Sequence, residues 1–238
     1  MPRKDQVFRA PQQQIVDFTF DDAVAEVFPD MIRRSVPGYE TVVPITGLIA
    51  ARHVPVDGLV CDLGCSLGAT TLAVLRQLGE QPVHLLAVDN SQAMLDRAKQ
   101  LIPDDRVTFR CEDLQHTDVT GANVILMNYV LQFIEPGART ELLTNLCHDM
   151  APDGLLILSE KIRYESDEDQ SFYDATHLAY KKANGYSELE ISQKRTALEN
   201  VMIIDSEAEH RRRLARAGFR RVDSWFRCLN WVSYLAYR

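Results

Sequence analysis

Apolar and polar positions fall in blocks along this chain, and the blocks predict its elements. Short apolar runs of strand length stand at 59–62, 83–89, 107–111, 124–128 and 155–160. Between them lie stretches with helical periodicity, notably after 68 and over 139–150, before the Pro152-Asp153-Gly154 turn. Ser91 stands where an N-cap would start a helix through Met94, Leu95 and Ala98. Strands alternating with helices predict a parallel sheet covered on both faces. The last two runs, 222–229 and 231–237, are parted only by Asn230 and read as an antiparallel pair on the sheet edge.

The flanks are patterned differently. Residues 1–16 are polar and Gln-rich and are expected to form a loose arm. Residues 17–28 read as a short helix with acids at its start, stopped at Pro29. After a turn at 35–38, a helix is expected over 40–52, with Pro44 tolerated in its first turn. From 164 to about 219 the chain reads as helical. Ser187-x-x-Glu190 and Ser206-x-x-Glu209 have capping-box spacing, and Gly218 is placed to end the second helix. The expected organisation is one domain over 1–238: N-terminal arm and helices (1–57), a nucleotide-binding core (58–160), a helical insert (161–219) and the strand pair (220–238). Parallel strands closed by an antiparallel pair suit a Rossmann-like, class I methyltransferase-type α/β sheet better than a dehydrogenase.

The candidate chemistry begins at Asp62-Leu63-Gly64-Cys65-Ser66-Leu67-Gly68, a glycine turn between the first strand and its helix. The second strand ends in Asp89, and a carboxylate there can accept from both hydroxyls of a ribose. This is an adenosine site. A dinucleotide turn needs a glycine where Ser66 stands, so that backbone can approach a pyrophosphate. Asp62 would repel a pyrophosphate but suits the ammonium and sulfonium of S-adenosylmethionine (SAM). Ligands of such sheets sit beyond the strand carboxyl ends. There stand Asp62 and 64–66, Asp89-Asn90, Asp113-Leu114, Asn128 and Glu160-Lys161. Asp113 could accept from the adenine amino group with Leu114 packed on the ring, and Asn128 offers both a donor and an acceptor.

Composition excludes several classes. At 238 residues, 46% hydrophobic and 25% charged, the chain is an ordinary soluble globular protein. A net charge of −8 disfavours nucleic acid as the main partner. The five cysteines are scattered, lack a paired ligand set for zinc, and read as reduced thiols of a cytoplasmic protein. No signal-peptide or membrane-span pattern is present. No nucleophilic triad, H-E-x-x-H or serine elbow occurs, and no Asn/Asp-Pro-Pro-aromatic clamp follows the fourth strand. Lys181, Lys182, Lys194, Arg195, Arg211, Arg212, Arg213 and Arg216 crowd the helical insert, and one or two of them could clamp an anion. These residues leave open a small-molecule methyltransferase and a catalytically silent SAM-binding subunit.

Several segments narrow this choice. Residues 29–31, 34–39, 62–68 and 89–91, together with the long stretch 182–195 running on through 198–202, resemble carboxy-S-adenosylmethionine synthases over nearly the whole chain. Departures from that pattern lie mostly in the N-terminal arm and in 164–176. The resemblance implies a mostly parallel seven-stranded sheet and a homodimer, and aromatics and apolars of the insert expected to be exposed (Phe172, Tyr173, Leu178, Tyr180 and Tyr186) could cover a partner's site. It implies conversion of SAM and prephenate to carboxy-SAM and phenylpyruvate, without a metal. In the mechanism it implies, prephenate's departing hydroxide takes a proton from the SAM methyl group, and the resulting ylide captures the carbon dioxide that prephenate releases. No protein base is needed, and tRNA need not bind, because a separate tRNA carboxymethyltransferase uses the product on a wobble uridine. Tyr39, Gly64, Cys65, Ser66, Asp89, Asn90, Asp113, Leu114 and Asn128 carry over as SAM-site positions, and Arg195 carries over as partner of the product's new carboxylate.

Overall fold

In the computed structural model, which describes residues 3–12 and 14–238, the five internal apolar runs become parallel strands of one sheet. They are β1 (Leu59–Leu63), β2 (His84–Asp89), β3 (Val107–Cys111), β4 (Val124–Asn128) and β5 (Leu155–Arg163). Then come β6 (Asp205–Ser206), β7 (Arg221–Cys228) and β8 (Trp231–Tyr237). The order is β3-β2-β1-β4-β5-β8-β7, with β8 antiparallel to both neighbours. The direction of winding reverses between β1 and β4, which opens a crevice at the strand carboxyl ends. To the expected seven strands the fold adds β6, which pairs in parallel with Ile162 and Arg163. That pairing, with Lys161 opposite Trp231 of β8, carries β5 three residues past its expected end at Glu160.

Eight helices flank the sheet among the described residues: α1 (Asp22–Ser35), α2 (Tyr39–His53), α3 (Ala69–Leu78), α4 (Gln92–Leu101), α5 (Arg139–Asp149), α6 (Asp167–Ala183), α7 (Glu188–Leu198) and α8 (Glu207–Arg216). The alternation along β4 divides its side chains between two cores. Ile125 and Met127 pack with Leu142, Leu143 and Leu146 of α5 and Leu214 of α8. Val124 and Leu126 pack on the opposite face with Ala50 of α2 and Val74 and Leu75 of α3. Gly47 lets α2 and α3 touch, since a Cβ there would stand 2.6 Å from the Ala73 carbonyl carbon. No helix of the described residues is long and apolar enough to cross a membrane.

Three expectations at the flanks are corrected. First, Pro29 does not stop a helix; it lies inside α1, which begins later, at an Asp21 N-cap accepting from the Val24 N–H. Proline removes one donor there, but Val24, Val27 and Met31 bury on both sides of it and hold the helix together. Second, the arm is anchored rather than loose where it is described, at 3–12 and 14–16; residues 1, 2 and 13 lie outside the described residues. Asp5 and Phe8 are buried, and Asp5 accepts from Tyr186 Oη at 2.5 Å. Gln193 of α7 reaches the arm three more times, donating to Phe8 O at 2.9 Å and Ala10 O at 3.0 Å and accepting from Gln12 N at 2.6 Å. Third, Tyr186, expected to be exposed in the insert, is 7% exposed and lies under the Arg34 guanidinium. The Ser187–Glu190 capping box forms in full, and Gly218, at φ 104°, follows the end of α8.

Candidate active site

The glycine turn is built around two buried acids. Gly64 has φ 76°, and a Cβ there would meet Val130 at 2.4 Å, so only glycine fits. Ser66 also takes a left-handed φ of 52°, which costs about 1 kcal/mol for a non-glycine residue. Asp89 holds it there: Oδ2 accepts from Ser66 N at 2.8 Å, and Oδ1 accepts from Ser91 N at 2.9 Å. The Gly68 N-cap of α3 has no side chain, and Asp62 supplies the missing acceptor. Its Oδ2 accepts from Thr71 N at 3.0 Å and Thr71 Oγ1 at 2.6 Å. Burial lifts the Asp62 carboxyl to about 6, against the two Thr71 bonds and with added repulsion from Asp89. Burial likewise raises Asp89, opposed by the backbone N–H groups of Ser91, Ser66 and Asn90.

Above this turn lies a cavity of ≈ 910 Å³. All eleven expected site residues line it: Tyr39, Asp62, Gly64, Cys65, Ser66, Asp89, Asn90, Asp113, Leu114, Asn128 and Arg195. Asp113 caps a 3-10 turn (Leu114–His116), accepting from Gln115 N at 2.9 Å. Asn128 donates to Thr70 Oγ1 at 3.0 Å, while its Oδ1 is buried with no partner among the described residues. A free acceptor at the end of β4, beside the acids of β1 and β2, fits an amino acid's ammonium. Tyr39 at the start of α2 keeps its phenol proton, since burial and nearby Asp62 push it up to about 12. The site residues therefore fit SAM: acceptors for ribose and ammonium, and no cation against the sulfonium at the glycine turn.

The sheet also sets the loop after β4. Glu160, fully buried within β5, accepts from Val130 N at 3.1 Å, Leu131 N at 2.8 Å and Gln132 N at 3.1 Å. Burial raises its carboxyl to about 8 against those three donors. The loop it grips begins at Tyr129, whose φ is 65°. The sequence set Glu160 and Lys161 together at the carboxyl end of the fifth strand; Lys161 lines the cavity, whereas Glu160 does not and is buried against the loop's backbone donors.

Of the cations in the insert, the structure separates two groups. Arg211, Arg212 and Arg213 pair with Glu207, Glu209 and Asp205 around α8, and Lys182 pairs with Glu188. Lys181, Lys194 and Arg195 line the cavity with Lys161. Sequence reasoning did not anticipate His177 or the aromatic wall of Phe18, Phe20 and Phe28. The helical spacing of Gln170, Asp174, His177 and Lys181, which puts them on one stripe of α6, was the available signal.

This fold and site define a class. A family model for a methyltransferase domain matches residues 60–154. Human N-acetylserotonin methyltransferase, solved in complex with SAM, shares the fold with a TM-score of 0.63 at 18% identity, over 100% of this chain and 63% of that one. The architecture is thus that of the class I methyltransferases. The particular branch follows from closer relatives. Carboxy-S-adenosyl-L-methionine synthase of Actinobacillus succinogenes is 46% identical over 237 residues, 98% of each chain. That of Marinobacter nauticus is 48% identical over 236 residues, 98% of this chain and 94% of the other. The chain belongs to the carboxy-S-adenosyl-L-methionine synthase family.

Proposed function

We propose that this protein converts SAM and prephenate to carboxy-SAM, phenylpyruvate and water. Prephenate loses carbon dioxide and hydroxide; the hydroxide takes one proton from the SAM methyl group, and the methylene carbon bonds the carbon dioxide. The observation that carries this reading is near-half identity to carboxy-SAM synthases over almost the whole length. The charge of the cavity supports it. Acids and the free Asn128 acceptor stand at the ends of β1, β2 and β4, where SAM's ribose and ammonium would lie. Lysines and Arg195 stand on β5, α6 and α7, where carboxylates would lie. Asp62 and Lys161 lie two strands apart, about 10 Å across the sheet, and Lys161 stands four residues, about 13 Å, further along it than the partner level with Asp62. Arg195, which lines the cavity and is exposed, is proposed to grip the carboxylate gained by SAM.

The product then serves a separate enzyme that modifies tRNA, and the protein acts in the cytoplasm as a homodimer; light scattering showing an active monomer would overturn the dimer. The reaction itself is tested by incubating the purified protein with SAM and prephenate and reading small molecules by mass spectrometry. A prephenate-dependent gain of one carboxyl on SAM is expected. A methylated acceptor with no carboxylated SAM would overturn the reading.

A further inference from the structure

The cavity holds more positive charge than SAM can use. Lys161 of β5, Lys181 of α6 and Arg195 of α7 reach one wall from three separate elements. None of the three makes an ion pair or a side-chain hydrogen bond among the described residues, whereas neighbouring Lys182 pairs with Glu188 and Lys194 donates to Ser35 Oγ at 3.0 Å. The three charges act on one another. Burial lowers Lys181 to about 8, and Lys161 and Arg195 add to the shift. Lys161 is lowered by burial and by Arg195, with Asp174 opposing.

The groups between these cations do not cancel them. Asp174 lines the same wall but is exposed, and its Oδ2 accepts from Gln170 Nε2 at 2.8 Å. His177 is neutral: burial, then Lys161 and Lys181, push it down to about 3, and its Nε2 donates to Ser35 O at 2.8 Å. Trp231 sits opposite Lys161 in the strand register, its ring centroid 6.0 Å from that of His177. Only 5% of Trp231 is exposed, and its indole N–H has no partner among the described residues. A buried donor left unpaired costs free energy, and like charges held together raise it further. An anion relieves both. Three cations and an indole N–H carry more positive charge and more donors than one carboxylate neutralises, whereas a molecule with two carboxylates comes closer to matching them. The guanidinium fork suits one of them, and the two ammonium groups suit the other as point charges.

We propose that Lys161, Lys181 and Trp231, beside Arg195, form a dicarboxylate subsite that seats the second substrate. The identity of that substrate as prephenate rests on the function proposed above; the subsite itself rests on the wall.

The test separates the two. S-adenosylhomocysteine lacks the methyl group and cannot turn over, so prephenate is titrated calorimetrically into protein saturated with it. Wild type is expected to bind. Lys181→Gln and Lys161→Gln should each weaken prephenate by about ten- to a hundredfold. S-adenosylhomocysteine itself should bind all variants alike, which also reports that they fold, and Lys181→Arg should restore most of the affinity. If Lys161→Gln proves unable to fold, the Lys181 pair decides alone. Unchanged prephenate binding in the variants overturns the subsite and leaves the function standing. If wild type ignores prephenate but binds succinate in a lysine-dependent way, the subsite stands and the prephenate reading falls. Binding of neither dicarboxylate overturns the subsite.

Discussion

Asp89 shows how one side chain can serve both architecture and ligand. Its two oxygens already hold Ser66 N and Ser91 N, and each oxygen keeps a lone pair for a ribose hydroxyl. Asp89→Ala should weaken SAM by about 1.5–3 kcal/mol in calorimetry. The thermal midpoint should fall as well, because Ser66 loses the anchor of its left-handed turn; intact SAM affinity would place the ribose elsewhere. Arg195→Ala should weaken carboxy-SAM by about ten- to a hundredfold and SAM far less. Equal effects on the two ligands would place it outside the carboxylate site. The shifted groups also set a pH profile. Asp62 ionises near 6, so affinity for the cationic ammonium of SAM should rise with pH through that value. Lys181, faced by Lys161, Asp174, His177 and Arg195, loses its proton near 8, and Lys194 does the same. With SAM saturating, kcat/KM for prephenate should therefore fall as pH rises past about 8. A flat profile from pH 7 to 9.5 (roughly the span over which a lysine of this kind would titrate) would mean that these amines do not face the anion.

At the scale of elements, the link from Glu160 to the loop after β4 is the most exposed to test. Glu160→Gln keeps the shape but turns one acceptor into a donor facing a backbone N–H. It should destabilise the fold by about 1–3 kcal/mol in denaturant titrations and speed hydrogen exchange at 130–132. Unchanged exchange there would show that the loop stands without the carboxylate. Elements of this kind differ in how legible they were. Strand positions were plain, because apolar runs such as 83–89 and 124–128 end in a polar residue, Asp89 or Asn128, that the sheet carries to its carboxyl edge. Pro29 misled because a local rule about donors says nothing of the burial on either side of it. The arm misled because polar composition hides Asp5 and Phe8, whose partners lie at Tyr186 and Gln193, far along the chain. Arg195 was found through resemblance, whereas Lys161 was legible as a residue at the carboxyl end of a strand, but its cationic neighbours on α6 and α7 were not.

For the molecule as a whole, charge is distributed against expectation from the total. The net −8 surrounds a cavity with a cationic wall. Small dicarboxylates can therefore enter where a polyanion is repelled. Turnover should proceed without tRNA, and gel-shift affinity for tRNA should be weak and unspecific; activity seen only on adding tRNA would contradict this. The docking of the arm on Tyr186 and on Gln193 of α7 has a consequence for biosynthesis. The arm is made long before the tyrosine and glutamine that receive it. β8, which separates β5 from β7 in the sheet, is made after both of them. Most of the central parallel strands can pair during translation, while the cavity wall must wait for nearly the complete chain. A nascent chain halted before residue 186 should hold an unclosed pocket, open to proteases at residues 3–12 of its arm, until synthesis resumes.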